Sequence, residues 1–237
     1  MGKPFKFKQF SIHQDRCAMK IGTDGVLLGA WTLLRNTPST ILDIGAGTGL
    51  ISLMLAQRSD AEVIDAIEID GDAYEQCVEN FEASPWADRL FCYHAGLDEF
   101  TEEIDDKYDL IISNPPFYSE EVSSRNRARD LARQNLSLPF ETLLQSSSYL
   151  LNANGVLSII VPYNQEVNFV QLAATFNLYP TRITHVKGTS ISPVKRSLIE
   201  FAFKKTEVSR NELTIELERH RYSDAYIELT KEFYLKM

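Results

Sequence analysis

Cysteine, histidine and long apolar runs are all scarce in this 237-residue chain. The three cysteines, Cys17, Cys77 and Cys92, have neither CxxC spacing nor an even count. That argues against a zinc site and for buried, reduced thiols in a cytosolic protein. The four histidines, His13, His94, His185 and His220, carry no spacing that suggests a metal or a triad, and His94 is expected in the core. No apolar run approaches the length of a membrane span, and the amino terminus lacks a signal-peptide core, so a cytoplasmic protein without a membrane or metal partner is expected. No repeat, low-complexity tract or linker divides the chain. A single domain over 1–237 is expected, with 1–22 as a basic strand segment and 118–138 as an Arg-rich loop inserted into it. Cations are also in deficit, 24 Lys and Arg against 33 Asp and Glu, a net charge of −9 that argues against nucleic acid at first sight.

The deficit is uneven. Residues 60–121 hold 19 acidic side chains against Arg89 and Lys107 alone. By contrast, Lys3, Lys6, Lys8, Arg16 and Lys20 face only Asp15 over 1–20, and Arg125, Arg127, Arg129 and Arg133 face Asp130. Arg182, Lys187, Lys195, Arg196, Lys204 and Lys205 face only Glu200. Each stretch reads equally as a solvated face.

Hydrophobic period gives strands at 40–44, 63–68, 90–94, 108–113 and 156–161. Helices are expected over 26–31, from the Gly-rich turn after the first strand to about 58, and over 72–83, 140–151 and 167–176. Asn154-Gly155 reads as a helix stop. Two late strands, 183–187 and 197–204, suit an antiparallel edge, and 222–234 a short helix burying Tyr226 and Phe233. Strands alternating with helices indicate a doubly wound α/β sheet.

Asp43-Ile44-Gly45-Ala46-Gly47-Thr48-Gly49 stands where the first strand turns into its helix. Glycines there allow positive φ and close approach of a ligand to the backbone. A dinucleotide loop reads GxGxxG; this one reads GxGxG, with a carboxylate just before it. Asp43 disfavours a pyrophosphate and suits a ligand carrying an ammonium and a sulfonium. Glu68, ending the second strand, is placed to accept both hydroxyls of a ribose, and Asp70 to cap the next helix. Together these describe S-adenosylmethionine.

Asn114-Pro115-Pro116-Phe117 follows the fourth strand. Prolines there can simply stop a strand. The same cluster can also hold a planar NH2 group, with the Asn114 side-chain oxygen and the Pro115 carbonyl accepting its two hydrogens and Phe117 stacking on its face. Asn114, Pro115 and Phe117 are therefore the candidate catalytic residues.

With Asp43–Gly49, Glu68 and Asn114–Phe117 in this order, the chain resembles class I S-adenosylmethionine-dependent methyltransferases that methylate amines. Phe7–Phe10, Lys20–Trp31, the Arg-rich loop, Lys195–Phe201 and Phe233–Leu235 narrow the resemblance to the bacterial tRNA1(Val) adenine-N6 methyltransferases. It implies a Rossmann-like, mostly parallel seven-stranded sheet with helices on both faces and an antiparallel edge strand. It also implies methylation of the N6 amine of adenine 37, next to the anticodon of one valine tRNA; a monomer is expected. The cofactor contacts it implies are Thr23, Asp43, Gly45, Gly47, Gly49, Glu68, Leu97, Asp98 and Asn114. Many relatives carry an acid just after the third strand; here Gly96 stands there, leaving Leu97 backbone groups or Asp98 for the cofactor's adenine. Lys6, Lys8, Arg125, Arg127, Arg129, Arg133, Lys195 and Arg196 are the RNA-contact candidates. A glutamine-amide methyltransferase of the release-factor type presents the same donors to the pocket, and ribosomal RNA guanine-N2 or DNA adenine-N6 methylation are further alternatives. A non-catalytic S-adenosylmethionine-binding module is the alternative of another class.

Overall fold

A computed structural model describes residues 2–35, 37–116 and 138–236. Phe117, Arg125, Arg127, Arg129 and Arg133 lie outside the described residues. The chain runs β1 (Phe5–Lys6), β2 (Ser11–Ile12), α1 (Thr23–Trp31), β3 (Thr40–Ile44), α2 (Leu50–Arg58), β4 (Val63–Glu68), α3 (Gly71–Glu82), β5 (Leu90–His94), α4 (Leu97–Glu103) and β6 (Tyr108–Ser113). Beyond residue 138 come α5 (Phe140–Leu150), β7 (Leu151–Pro162), α6 (Glu166–Thr175), β8 (Tyr179–Thr189), β9 (Val194–Ala202), β10 (Ser209–Glu218), β11 (Arg221–Tyr222) and α7 (Asp224–Thr230).

One nine-stranded sheet carries the order β11-β10-β8-β9-β7-β6-β3-β4-β5. The seven strands from β8 to β5 form the expected mostly parallel core. The sheet exceeds that expectation by β10, parallel to β8, and β11, which makes an antiparallel edge. β9 runs antiparallel inside the sheet, between β7 and β8. The polar alternation of Ser209–Glu218, with one buried residue in ten, hid β10 from a search for apolar runs.

The inner strands are buried on both faces, which is why they read as continuous apolar runs. Ile41, Leu110 and Ile112 join α1, α2, α3 and α7 in one core, while Leu42, Ile44 and Ile111 join α4, α5 and α6 in the other. The amino-terminal Phe/Lys stretch forms a β1–β2 hairpin docked on the far end of the chain: Lys8 N–H donates to the Phe233 carbonyl at 2.8 Å, and Phe7 and Phe10 stack at 4.7 Å. Tyr226 and Phe233 are buried as expected.

Two local readings need correction. Asn154-Gly155 does not end a helix: α5 stops at Leu150, and Gly155 lies within β7. A Cβ at Gly155 would stand 2.8 Å from the Tyr108 carbonyl oxygen, so the glycine serves close strand packing where the β6–β7 register slips. His94 is exposed rather than core; it is the last residue of β5, the sheet's outer strand, and stacks on Tyr74 at 5.1 Å.

Candidate active site and cofactor cradle

The carboxyl ends of β3, β4 and β6 meet at one edge, the side on which open α/β sheets bind ligands. The glycine loop is formed there. Gly45 and Ala46 N–H groups both donate to the Ile67 carbonyl at 3.0 Å, tying the loop to the end of β4. Gly45, Gly47 and Gly49 have φ of 74°, 57° and 77°. Their reasons differ. Around the places where a Cβ would stand on Gly45 and Gly47, no heavy atom of the described residues lies within 4 Å, so among these residues that side of the loop is open. On Gly49 a Cβ would come within 2.5 Å of Phe81 and 2.9 Å of the Cys77 sulfur, so this glycine lets α3 pack against the start of α2.

Asp43 is buried beneath the loop. Its Oδ2 accepts from the Ser52 N–H at 3.1 Å and the Ser52 hydroxyl at 2.7 Å, and its Oδ1 has no partner among the described residues. Burial pushes this carboxyl up to about 6, against the Ser52 hydrogen bonds, which pull it down. A half-satisfied buried carboxylate is costly alone and is offset by a cation placed near it.

Glu68 ends β4 as expected and orients toward the loop: Oε2 accepts from Gly47 N–H at 2.8 Å and Oε1 from Asp70 N–H at 2.9 Å. Asp70 takes the capping role, accepting from Ala73 N–H at 2.9 Å at the start of α3. Between them, Ile69 stands 52% exposed, and a Cβ on Gly96 would lie 3.8 Å from its tip. The start of α4 thus adjoins Glu68, with the Leu97 side chain in the core and Asp98 exposed. Ile69 is an exposed aliphatic surface on this edge with no signal in the sequence, because a lone apolar residue after a strand carries no pattern.

Asn114 follows Ser113, which pairs with Ile44 and donates its hydroxyl to the Ile44 carbonyl at 2.8 Å. That bond anchors the carboxyl end of β6 to the end of β3, one residue before Asn114. Asn114 is half-buried and Pro115 buried; no described residue hydrogen-bonds the Asn114 side chain. Its amide nitrogen lies 3.9 Å from where a Cβ of Gly25 would be, so α1 forms the neighbouring wall through a glycine. Thr23 opens that helix, two residues away.

The cations sort less simply. Arg196 joins this edge, its Nε bonded to Asp24 Oδ2 at 2.8 Å. Lys195 is exposed beside it. Lys8 donates its ammonium to the Lys231 carbonyl at 2.6 Å, next to the carboxyl-terminal helix, while Lys6 is exposed on the hairpin. Arg182 is structural: its guanidinium lies 3.5 Å over the Trp31 ring and bonds Glu200. Asn80 was missed altogether; it accepts from His13 N–H at 2.8 Å and donates to the Thr48 carbonyl at 2.9 Å, fastening the amino-terminal segment to the glycine loop. No group of acidic, histidine or cysteine side chains able to hold a metal occurs among the described residues, and no described helix is long and apolar enough to cross a membrane.

Residues 22–185 match the family model described as methyltransferase small domain. A tRNA1(Val) (adenine(37)-N6)-methyltransferase from Flavobacterium johnsoniae is 60% identical over 98% of this chain and 100% of its own length. One from Bacteroides fragilis is 46% identical over the whole of both chains. The chain belongs to this methyltransferase family. Among solved structures, a predicted O-methyltransferase from Agrobacterium tumefaciens superposes with a TM-score of 0.68 at 18% identity over 89% of this chain and 96% of that one, a likeness of fold.

The cradle of this methyltransferase fits S-adenosylmethionine, its cofactor. The open side of Gly45 and Gly47 leaves room against the backbone. The unpartnered oxygen of Asp43 suits a cationic ligand, and the Glu68 carboxylate, held by two N–H donors, retains lone pairs for a diol.

Proposed function

We propose that this enzyme methylates the exocyclic N6 amine of adenine 37, beside the anticodon of tRNA1(Val). The observation that supports the reading is the Asn114 carboxamide, without a described hydrogen-bond partner, one residue past the Ser113–Ile44 contact that anchors the carboxyl end of β6. The full-length relatives named for this reaction favour a nucleobase over a protein glutamine amide, whose NH2 offers the same two donors.

S-adenosylmethionine supplies a methyl group on a sulfonium, open to attack by a neutral amine. The adenine amine is a poor nucleophile because its lone pair is delocalised into the ring. The Asn114 side-chain oxygen and the Pro115 carbonyl accept its two N–H bonds and draw the nitrogen toward tetrahedral geometry. Both acceptors bind a nitrogen gaining positive charge better than a neutral one, so they stabilise the transition state more than the ground state. Two consecutive prolines stiffen the acceptors in advance. Phe117 clamps the ring, and the base leaves its stack at a cost of roughly a few kcal/mol. Lys6, Lys8, Lys195, Arg196 and the arginines of the 118–138 loop contact phosphates.

Mass analysis of nucleosides from valine tRNA tests this in cells lacking the protein. Loss of the N6-methylated adenosine at position 37, restored by the wild-type gene, is expected. An unchanged modification removes the substrate assignment.

A further inference from the structure

β7 runs parallel to β6 and antiparallel to β9, which runs antiparallel to β8. β8 therefore points the same way as β3, β6 and β7, and the turn at 190–193 joining it to β9 stands on the same edge as Asn114. Contacts carry it there. Arg196, three residues past the turn, bonds Asp24, and Asp24 adjoins the glycine that faces Asn114. A cavity of about 450 Å³ lies between the turn and the start of α1, lined by Thr189, Ser192, Lys195, Thr23 and Tyr222 among others.

The turn is locked. The Ser192 hydroxyl accepts from Thr189 N–H at 2.6 Å and donates to the Thr189 carbonyl at 2.9 Å, and the Ser192 N–H donates to the same carbonyl at 3.1 Å. Pro193 fixes the backbone beyond it. On this rigid tip Ile191 is 95% exposed, higher than any other large apolar side chain among the described residues. Singly exposed apolar residues are common and mean nothing by themselves. This one is held out by a preorganised turn, on the ligand edge, next to the exposed Lys195.

We propose that Ile191 is a wedge that enters the base stack of the anticodon loop beside the target adenine and keeps it unstacked while the adenine lies at Asn114. The inference rests on the tRNA reading above. Apolar side chains inserted at a base step lower the cost of unstacking it, because they fill the gap that water would otherwise occupy. The exposed Lys195 beyond the turn holds a phosphate, and the rigid turn delivers the side chain without losing loop entropy on binding. Ile191 is a positioning residue; it touches the neighbouring bases, not the reacting nitrogen.

The test uses a valine anticodon stem-loop with a fluorescent purine, bright when unstacked, in place of the target adenine. Its emission and anisotropy are followed on mixing with enzyme, and single-turnover methylation is measured on unmodified tRNA. Ile191→Ser is expected to bind with nearly wild-type anisotropy, to lose most of the emission rise and to methylate roughly tenfold more slowly. Ile191→Leu is expected to keep both. A full emission rise and an unchanged rate in Ile191→Ser overturn the wedge alone. A wild-type enzyme that leaves the tRNA unmethylated removes the tRNA reading, and the wedge with it. Because the side chain is exposed, the melting temperature of each variant is expected to match wild type.

Discussion

The Glu68 carboxylate accepts the Gly47 N–H at 2.8 Å, so the acid at the end of β4 and the glycine loop after β3 are one unit before any ligand arrives. Its other oxygen holds Asp70 N–H. Such bonds to a charged acceptor are the stronger kind and fix the side chain's direction. Glu68→Gln leaves one of these N–H groups facing an NH2. Titration calorimetry is expected to show S-adenosylmethionine affinity reduced by roughly tenfold or more, and a thermal melt to show about 1–2 kcal/mol of lost stability. Wild-type affinity in this variant contradicts the ribose role.

Gly47 and Gly49 make a contrasting pair. Both have positive φ, but only Gly49 meets Phe81 and Cys77. Gly49→Ala is expected to destabilise the fold by about 2–4 kcal/mol, from the clash and the strained φ together. Gly47→Ala carries the φ strain alone, costing about 1 kcal/mol, yet its methyl enters the open side of the loop and lowers cofactor affinity. Denaturant melts and equilibrium binding on both variants separate the two effects. Equal losses of stability contradict the assignment.

The buried Asp43 carboxyl titrates at about 6, above its ordinary value of 3.8. The native state therefore holds the proton through that window while the unfolded chain has lost it. Stability is greatest below the window and falls as pH rises through it, because the charged form is the one burial penalises. Asp43→Asn removes the penalty: it is expected to melt higher than wild type at about pH 8, by on the order of 2 kcal/mol, with the gain gone near pH 4. Cofactor affinity runs the other way. A cationic ligand favours the charged carboxylate, so wild-type affinity drops as pH falls through about 6, and Asp43→Asn binds weakly with a flat profile. A steep profile persisting in the variant contradicts this.

Arg196 holds Asp24 beside the active edge while Lys195 stands exposed next to it. tRNA affinity is expected to fall steeply with salt. Lys195→Ala reduces the salt slope by about 1 without altering turnover of bound tRNA. Arg196→Ala costs more, because it leaves the Asp24 carboxylate facing phosphate, and Asp24→Ala in that background recovers part of the loss. Filter binding across a salt series measures all three.

Much of this was legible in the chain. Five parallel strands and three of the four helices between them announced themselves because the inner strands, buried on both faces, are runs of Ile, Leu and Val, and glycines mark the tight turn after the first; the short acidic α4 carried no such signal. The end of the second strand at Glu68 and the capping role of Asp70 were both readable from strand register. What stayed hidden depends on contacts distant in sequence: the Asn80 bridge from His13 to Thr48, the Gly25 wall beside Asn114, and β10, whose solvated face breaks the apolar run. His94 misled because β5 looks apolar along its length, although an outer strand buries only part of it. Gly155 misled because a helix stop and a close strand crossing both call for a residue without a side chain.

In the proposed mechanism the Asn114 carboxamide and the Pro115 carbonyl activate the adenine amine. Single-turnover methyl transfer to tRNA, set beside calorimetric cofactor binding, tests it most directly in Asn114→Ala. A rate lower by at least about a hundredfold is expected, with a far smaller loss of cofactor affinity from the contact that Asn114 also makes to the cofactor. A near-normal rate at normal affinity would contradict it.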